Sequence, residues 1–166
     1  GRPGLYRKAR RAFGDLSEEQ HREAALCYHA SIEELDAQFG RLLDLLREIG
    51  EYDNTIVVVT TDHGELLGAH GYYCKNICAS EEVYNIPLLI SGPGVIRQGA
   101  VGARVGLHDL SQTILDLCGL QSLPTSDSRS FAPLLRGELG DEAFTVGYAE
   151  YFGGRILLTQ RVLWDG

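Results

Sequence analysis

The sequence predicts an α/β fold, with a mostly parallel sheet flanked by helices, and three stretches carry that prediction. Thr55 to Thr61 is an unbroken β-branched run. A strand covered on one side alternates apolar with polar residues, so this run reads as a strand buried on both faces, as parallel strands are. Ahead of it, Tyr28, Ile32, Leu35, Phe39, Leu42, Leu46 and Ile49 recur at alternating spacings of four and three, one apolar stripe on a long helix. Behind it, Ile86 to Ile90 reads as a second buried strand, with Pro87 at its start, where a missing amide donor is tolerated.

The remaining elements follow from local signals. Residues 1–16 are basic and glycine-punctuated and read as irregular. Ser17-Glu18-Glu19-Gln20 is a capping-box pattern that opens the long helix, and Gly50 closes it. The stripe reads as core packing. His21 and His29 have no ligand-like companions nearby and read as solvated. Glu51 to Asn54 is a turn, the segment from Lys75 to Glu82 a short helix, Ser91 to Gly94 a loop, and Val101 to Leu107 a third, shorter strand. Asp109-Leu-Ser-Gln112 repeats the cap pattern for a helix from Leu110 to Leu117, stopped near Gly119. A loop over 121–130 leads to a short element at 130–137, and strand-favouring residues return from Phe144 to Gly147 and from Arg155 to Leu163. There is no internal repeat and no low-complexity tract.

Bulk properties narrow the function. The chain has 166 residues, 44% hydrophobic and 23% charged, which suits one soluble globular domain. Fifteen basic against 23 acidic residues give 15 − 23 = −8, which argues against a nucleic-acid partner and gives no support for a membrane surface. No apolar run reaches the length of a membrane span, and the basic start (Arg2, Arg7, Lys8, Arg10, Arg11) lacks a signal-type apolar core behind it. The chain opens on Gly1, lacks methionine, and stops at Trp164-Asp165-Gly166 after an apolar run, so it reads as a piece of a longer polypeptide. Its four cysteines (Cys27, Cys74, Cys78, Cys118) do not enforce a disulfide framework, which inclines the reading toward a reducing cytoplasm and leaves the compartment otherwise open.

Chemistry is concentrated where the first strand stops. Asp62-His63-Gly64-Glu65 places three ionisable groups at a strand end, the position at which open α/β sheets bind ligands. Asp62 offers carboxylate oxygens and His63 an imidazole nitrogen, both usable by a divalent metal. Gly64 has no Cβ, so backbone or ligand can approach closely. A polar turn is an equally good local reading. His70, Cys74 and Cys78, spaced by four, suggest zinc, but Gly71 interrupts the helix that spacing requires and no fourth ligand is near. Free thiols are the simpler account.

Asp62-His63-Gly64-Glu65, then Leu67-Gly68, His70-Gly71, Lys75, Glu81-Glu82 and Ile86-Pro87-Leu88, resembles the C-terminal metal- and sulfate-binding segment of the sulfatases, of the alkaline-phosphatase-like superfamily. Lys75 falls 75 − 62 = 13 positions after the aspartate, where that family places its sulfate-binding lysine. The helix with Tyr28 and Asp36, the Asp109-Leu-x-x-Thr113 segment (Gln112 replacing the usual proline) and Ser130-Phe-Ala-Pro-Leu-Leu-Arg-Gly137 extend the likeness along nearly the whole chain. Glu65, Glu81 and Glu82 fall on family positions and are expected to pair with nearby cations; Asn85 departs from the basic residue common there.

The resemblance implies an enzyme that hydrolyses sulfate esters. It assigns Asp62 and His63 to the metal, Lys75 to catalysis and sulfate binding, and His70 to substrate. The metal would be Ca2+, with Mn2+ or Zn2+ suiting the imidazole better in a phosphonate or phosphodiester hydrolase. Residues 1–137 would be the later part of the catalytic domain, and 138–166 the start of a small antiparallel C-terminal subdomain. The family's remaining ligands, two aspartates and a formylglycine nucleophile, are expected upstream: none of the four cysteines begins the Cys-x-Pro-x-Arg signature, so this fragment alone would be inactive. The implied substrate is a small-molecule or carbohydrate sulfate ester. The partner is the remainder of the same polypeptide, with a homo-oligomer open. The alternatives are a phosphonate monoester or phosphodiester hydrolase, and a non-catalytic binding domain.

Overall fold

The computed structural model describes residue 7 and residues 11–75, 79–96, 99–152 and 159–165. The chain divides into two compact units, one of Gly1–Tyr52 with His63–Ile86, the other of Asp53–Asp62 with Pro87–Gly166.

The first unit is built on helix α1, Glu18–Glu48, 31 residues long. Its start is the expected capping box: Ser17 Oγ accepts from the Gln20 amide at 3.2 Å and Gln20 Oε1 accepts from the Ser17 amide at 2.9 Å. Its end is a Schellman turn, with Gly50 at φ +74°, the Gly50 amide donating to Arg47 O and the Glu51 amide to Leu46 O. The described residues do not cover the stripe. No α1 residue is buried, and Leu35 and Leu42 are 68% and 59% exposed. A helix this long spans ~46 Å at 1.5 Å per residue, far more than the core of its unit can cover. That core is small: Leu66, Tyr72 and Val83, with Ala69 and Tyr84 against them. Val83 comes from a single-turn helix α2, Glu81–Tyr84, inside the segment expected to be helical. At the other end, residues 11–13 form a helical turn where irregular chain was expected.

The second unit contains strand β1, Val57–Thr60, and strand β2, Leu88–Ser91. They pair antiparallel, with Val57 opposite Ser91 and Thr60 opposite Leu88. Both pairings among the described residues are antiparallel, so they do not represent the parallel arrangement expected of the main sheet. β1 is half-buried at all four positions, an even pattern that fits a two-sided strand at less than the expected depth. β2 is not buried on both faces: Leu88 and Ile90 turn inward while Leu89 is exposed. The stretch expected as a third strand forms none; the Arg104 amide donates to Phe144 O at 2.6 Å, and a 3-10 turn follows over Leu107–Asp109.

Helix α3, Leu110–Leu117, ends in a second Schellman turn at Gly119 (φ +67°). Its cap differs from the expected one. Asp109 makes no bond to the α3 amides; its carboxylate accepts instead from Gly106 N at 3.0 Å and Arg129 N at 2.8 Å. α3 packs on the single-turn helix α4, Ala132–Leu135. The core here is Phe131, Leu134 and Phe144, with Leu88, Ile90, Ala103, Val105, Leu110, Leu135 and Ala143 around it. Strands β3, Val146–Phe152, and β4, Thr159–Asp165, close the chain as an antiparallel hairpin with strictly alternating burial. No helix among the described residues is long and apolar enough to cross a membrane.

Candidate active site

β1 delivers Asp62 at its exit, exposed, with Thr61 Oγ1 donating to its Oδ1 at 3.4 Å. From His63 on, the chain enters a loop whose shape is dictated by close backbone contacts. The Gly64 amide donates to Val83 O at 2.8 Å, and a Cβ on Gly64 would lie 1.9 Å from Glu82 O. Only glycine fits there, so the close approach that glycine permits is taken up by the α2 backbone. His63 Nδ1 lies 3.0 Å from Gly64 O. A carbonyl only accepts, so Nδ1 is the protonated nitrogen in that bond, and the lone pair of the neutral ring sits on Nε2.

The loop is then cinched from inside. Glu65 Oε1 accepts from the amides of Leu67 and Cys74, and Leu66 N donates to Cys74 O, so the two ends of the loop are tied together. Glu65 was expected to pair with a cation; it holds backbone amides. Between these ends Leu67, Gly68, His70, Gly71 and Cys74 all have positive φ, of +42°, +90°, +58°, +80° and +68°. Three of those five carry side chains, at about 1–2 kcal/mol each for a left-handed residue. Strain on this scale persists because the Glu65 bonds and the buried Tyr72 over-determine the path.

His70 reaches back across the loop, its Nε2 3.0 Å from Glu82 Oε1. The amide of Glu82 itself, and less strongly the adjacent His70, hold the Glu82 carboxyl below its ordinary range. Glu81 takes a hydrogen bond from Asn85 Nδ2 at 2.8 Å, which fixes the side chain that departs from the family's basic residue. Lys75 is half-buried, and makes no ion pair or hydrogen bond with the described residues.

Tyr73, two residues before Lys75, has partners that the sequence did not reveal. Tyr73 OH lies 2.6 Å from His21 Nδ1, with the two rings 5.7 Å apart and only 11° from parallel. The Phe13 ring is tilted against that of Tyr73, 5.5 Å away between centroids. His21 is therefore not a solvated histidine. Its partner is 52 residues away in the chain, a separation at which periodicity gives no signal. His29 is exposed, edge-on to Tyr28. The His70-Cys74-Cys78 zinc alternative ends on Cys78, which lies outside the described residues; Cys74 is an exposed free thiol, as are Cys27 and Cys118.

Asp62 and His63 are right in type for a divalent ion but too few for a closed coordination sphere. Among the described residues no group of three His, Cys, Asp or Glu is placed to hold one.

These features define a strand-end loop that presents acidic, imidazole and ammonium groups, and comparison with known proteins gives its class. A phosphonate monoester hydrolase from Silicibacter pomeroyi superposes with a TM-score of 0.83 at 28% identity, over 97% of this chain and 37% of its own. A structure described as in complex with its substrate D-glucosamine-2-N,6-O-disulfate superposes at 0.75 and 29%, over 96% and 33%. The fold is alkaline-phosphatase-like. The sulfatase family model matches residues 3–120, and the chain belongs to that family. It is 37% identical over 112 residues to an N-acetylglucosamine-6-O-sulfatase of Bacteroides thetaiotaomicron, covering 67% of this chain and 20% of that protein. To arylsulfatase K of Gallus gallus it is 33% identical over 129 residues, covering 78% and 24%. The chain thus spans about a fifth to a quarter of the length of these relatives.

Proposed function

We propose that this chain is the part of a sulfatase that grips the sulfate group of a sulfate ester, with Lys75 as the principal contact. The observation that supports this is the setting of Lys75 in a sulfatase-family loop. It sits 13 positions after Asp62, half-buried, at the end of a backbone cinched by Glu65, with no partner for its ammonium among the described residues. A cation held this way is preorganised for an oxyanion.

In this reading Asp62 and His63 would hold a divalent ion, calcium by family resemblance, through a carboxylate oxygen and an imidazole nitrogen. That ion and a formylglycine elsewhere in the polypeptide would supply polarisation of the sulfate oxygens and the attack on sulfur. The chain's own residues do the rest. Lys75 donates to a sulfate oxygen and stabilises the charge that develops as the S–O bond to the alcohol breaks. His70, turned by its bond to Glu82, lies on the same loop and contacts the substrate, where its ring can donate a proton. The ester is a small-molecule or carbohydrate one; the N-acetylglucosamine-6-O-sulfatase and the glucosamine-disulfate complex among the similar proteins favour a sulfated sugar.

The second reading is a phosphonate monoester hydrolase, favoured by the superposition at 0.83 and compatible with manganese or zinc at the imidazole. The test is turnover of an aryl sulfate, a glucosamine 6-sulfate and a phosphonate monoester by the full-length protein that carries this chain. Preference for the sulfates supports the proposal; preference for the phosphonate gives the second reading; no turnover of any leaves a binding domain.

A further inference from the structure

We propose that Tyr73 and His21 are a positioning pair that sets where the Lys75 ammonium lies, an inference that rests on the reading of Lys75 as the sulfate contact. Lys75 follows Tyr73 by two residues, on a segment whose successive side chains are fixed in different ways. Tyr72, 1% exposed, is sunk into the cluster with Leu66 and Val83. The Cys74 amide is held by Glu65. Tyr73 lies between them, and its ring contacts those of both Phe13 and His21.

The tie is directional. Ring stacking alone lets a tyrosine slide in its plane, whereas a 2.6 Å hydrogen bond between the hydroxyl and His21 Nδ1 fixes the far end of the ring. His21 is a firm anchor. It lies in the first turn of α1, where its amide donates to Ser17 O at 3.0 Å and the capping box fixes the turn around it. Gly68 completes the seat. At φ +90° its Cα faces the pair, and a Cβ there would sit 3.5 Å from His21 Nδ1 and 3.6 Å from the Tyr73 hydroxyl. A tyrosine needed only as apolar filler would not call for this bond.

The test is a double-mutant cycle in the full-length protein, read as kcat/KM on an aryl sulfate, with the thermal midpoint as a control for folding. Tyr73→Phe keeps the stack and removes only the hydroxyl. It lowers kcat/KM about tenfold, within the ~100-fold that a misplacement of about 1 Å can cost, and leaves the midpoint in place. His21→Ala gives the same loss. His21→Asn, whose side-chain amide can pair with the hydroxyl through its oxygen or its nitrogen, restores most of it, a rescue that a purely structural role does not predict. In combination with Lys75→Ala, Tyr73→Phe adds nothing further, because the pair acts through the lysine. Wild-type turnover in Tyr73→Phe, or losses that multiply in the double variant, overturns the pair while leaving Lys75 as the sulfate contact. Wild-type turnover in Lys75→Ala removes the Lys75 reading itself, and the pair with it.

Discussion

The loop from His63 to Lys75 and the segment from Asp109 to Arg136 are both dense in polar residues, and they use them in opposite ways. In the second, the buried and half-buried polar groups are consumed internally. Thr113, fully buried, donates to Asp109 O at 2.8 Å and accepts from the Phe131 amide at 3.0 Å. Gln112, where the family usually has proline, is buried with its amide bonded both ways to the Leu123 backbone. Asp116 accepts from Ser130 Oγ at 2.7 Å and Arg136 Nη2 at 2.8 Å. In the first, Glu65 and His70 are spent on the loop's shape beside the backbone, glycine and aromatic contacts, while the charged tip of Lys75 is left without a partner among the described residues. Polar groups that complete a fold are satisfied by it; those reserved for chemistry are held by neighbours that do not compete for them.

The sharpest break of that contrast is Lys75→Ala. Loss of a preorganised donor to an oxyanion costs about a hundred- to a thousandfold in kcat. A half-buried ammonium without a partner contributes little to the core, so thermal midpoint and metal content should barely change. Lys75→Arg restores only part, a planar fork being no substitute for a compact charge. Steady-state kinetics beside a melting curve check both halves.

Thr113→Val inverts the pattern. It leaves the Phe131 amide buried and unpaired, at about 1–3 kcal/mol of stability, with KM for the sulfate unchanged. Denaturant midpoints measure it, and a changed KM with unchanged stability would contradict the division drawn here.

Asp62→Asn sharpens the contrast within the site. It should weaken metal retention more than His70→Ala does, because Asp62 is read as a charged ligand and His70 is engaged by Glu82. Metal titration of both variants decides, and equal losses would count against Asp62.

The smallest effect is in acid. Bonds from Ser130, then Arg136, hold the Asp116 carboxyl below its ordinary value near 3.8. The unfolded chain therefore binds the proton more readily. The stabilisation is present above that ordinary value and is lost as pH falls through the folded one. Asp116→Asn should lower stability at neutral pH and flatten the acid limb of the pH–stability curve, which urea melts from neutral pH to below 3.8 would show.

Local signals in the sequence were reliable where the physics is local. The Ser17-Gln20 box, the glycine stops at Gly50 and Gly119, and the strand that breaks off before Asp62 depend on neighbours within four residues, and each is found. What failed depends on distant partners. The α1 stripe has helical period, but period says nothing of what lies opposite. Asp109 has the right chemistry for a cap, yet Gly106 and Arg129 compete for its oxygens and win. His21 could not be read, because Tyr73 arrives from beyond the strand.

One consequence of α1 concerns how this chain comes apart. A 31-residue helix with no buried side chain has little to tie its melting to the clusters around Tyr72 and Phe131. Past about 12–15 residues such a helix has some stability of its own, set by its hydrogen bonds and caps. Its amide protons should exchange with solvent from the Gly50 end inward, while the turn gripped by Tyr73 exchanges last. Heating this chain should then give a calorimetric enthalpy that differs from the van't Hoff value, the mark of a molecule that melts in parts.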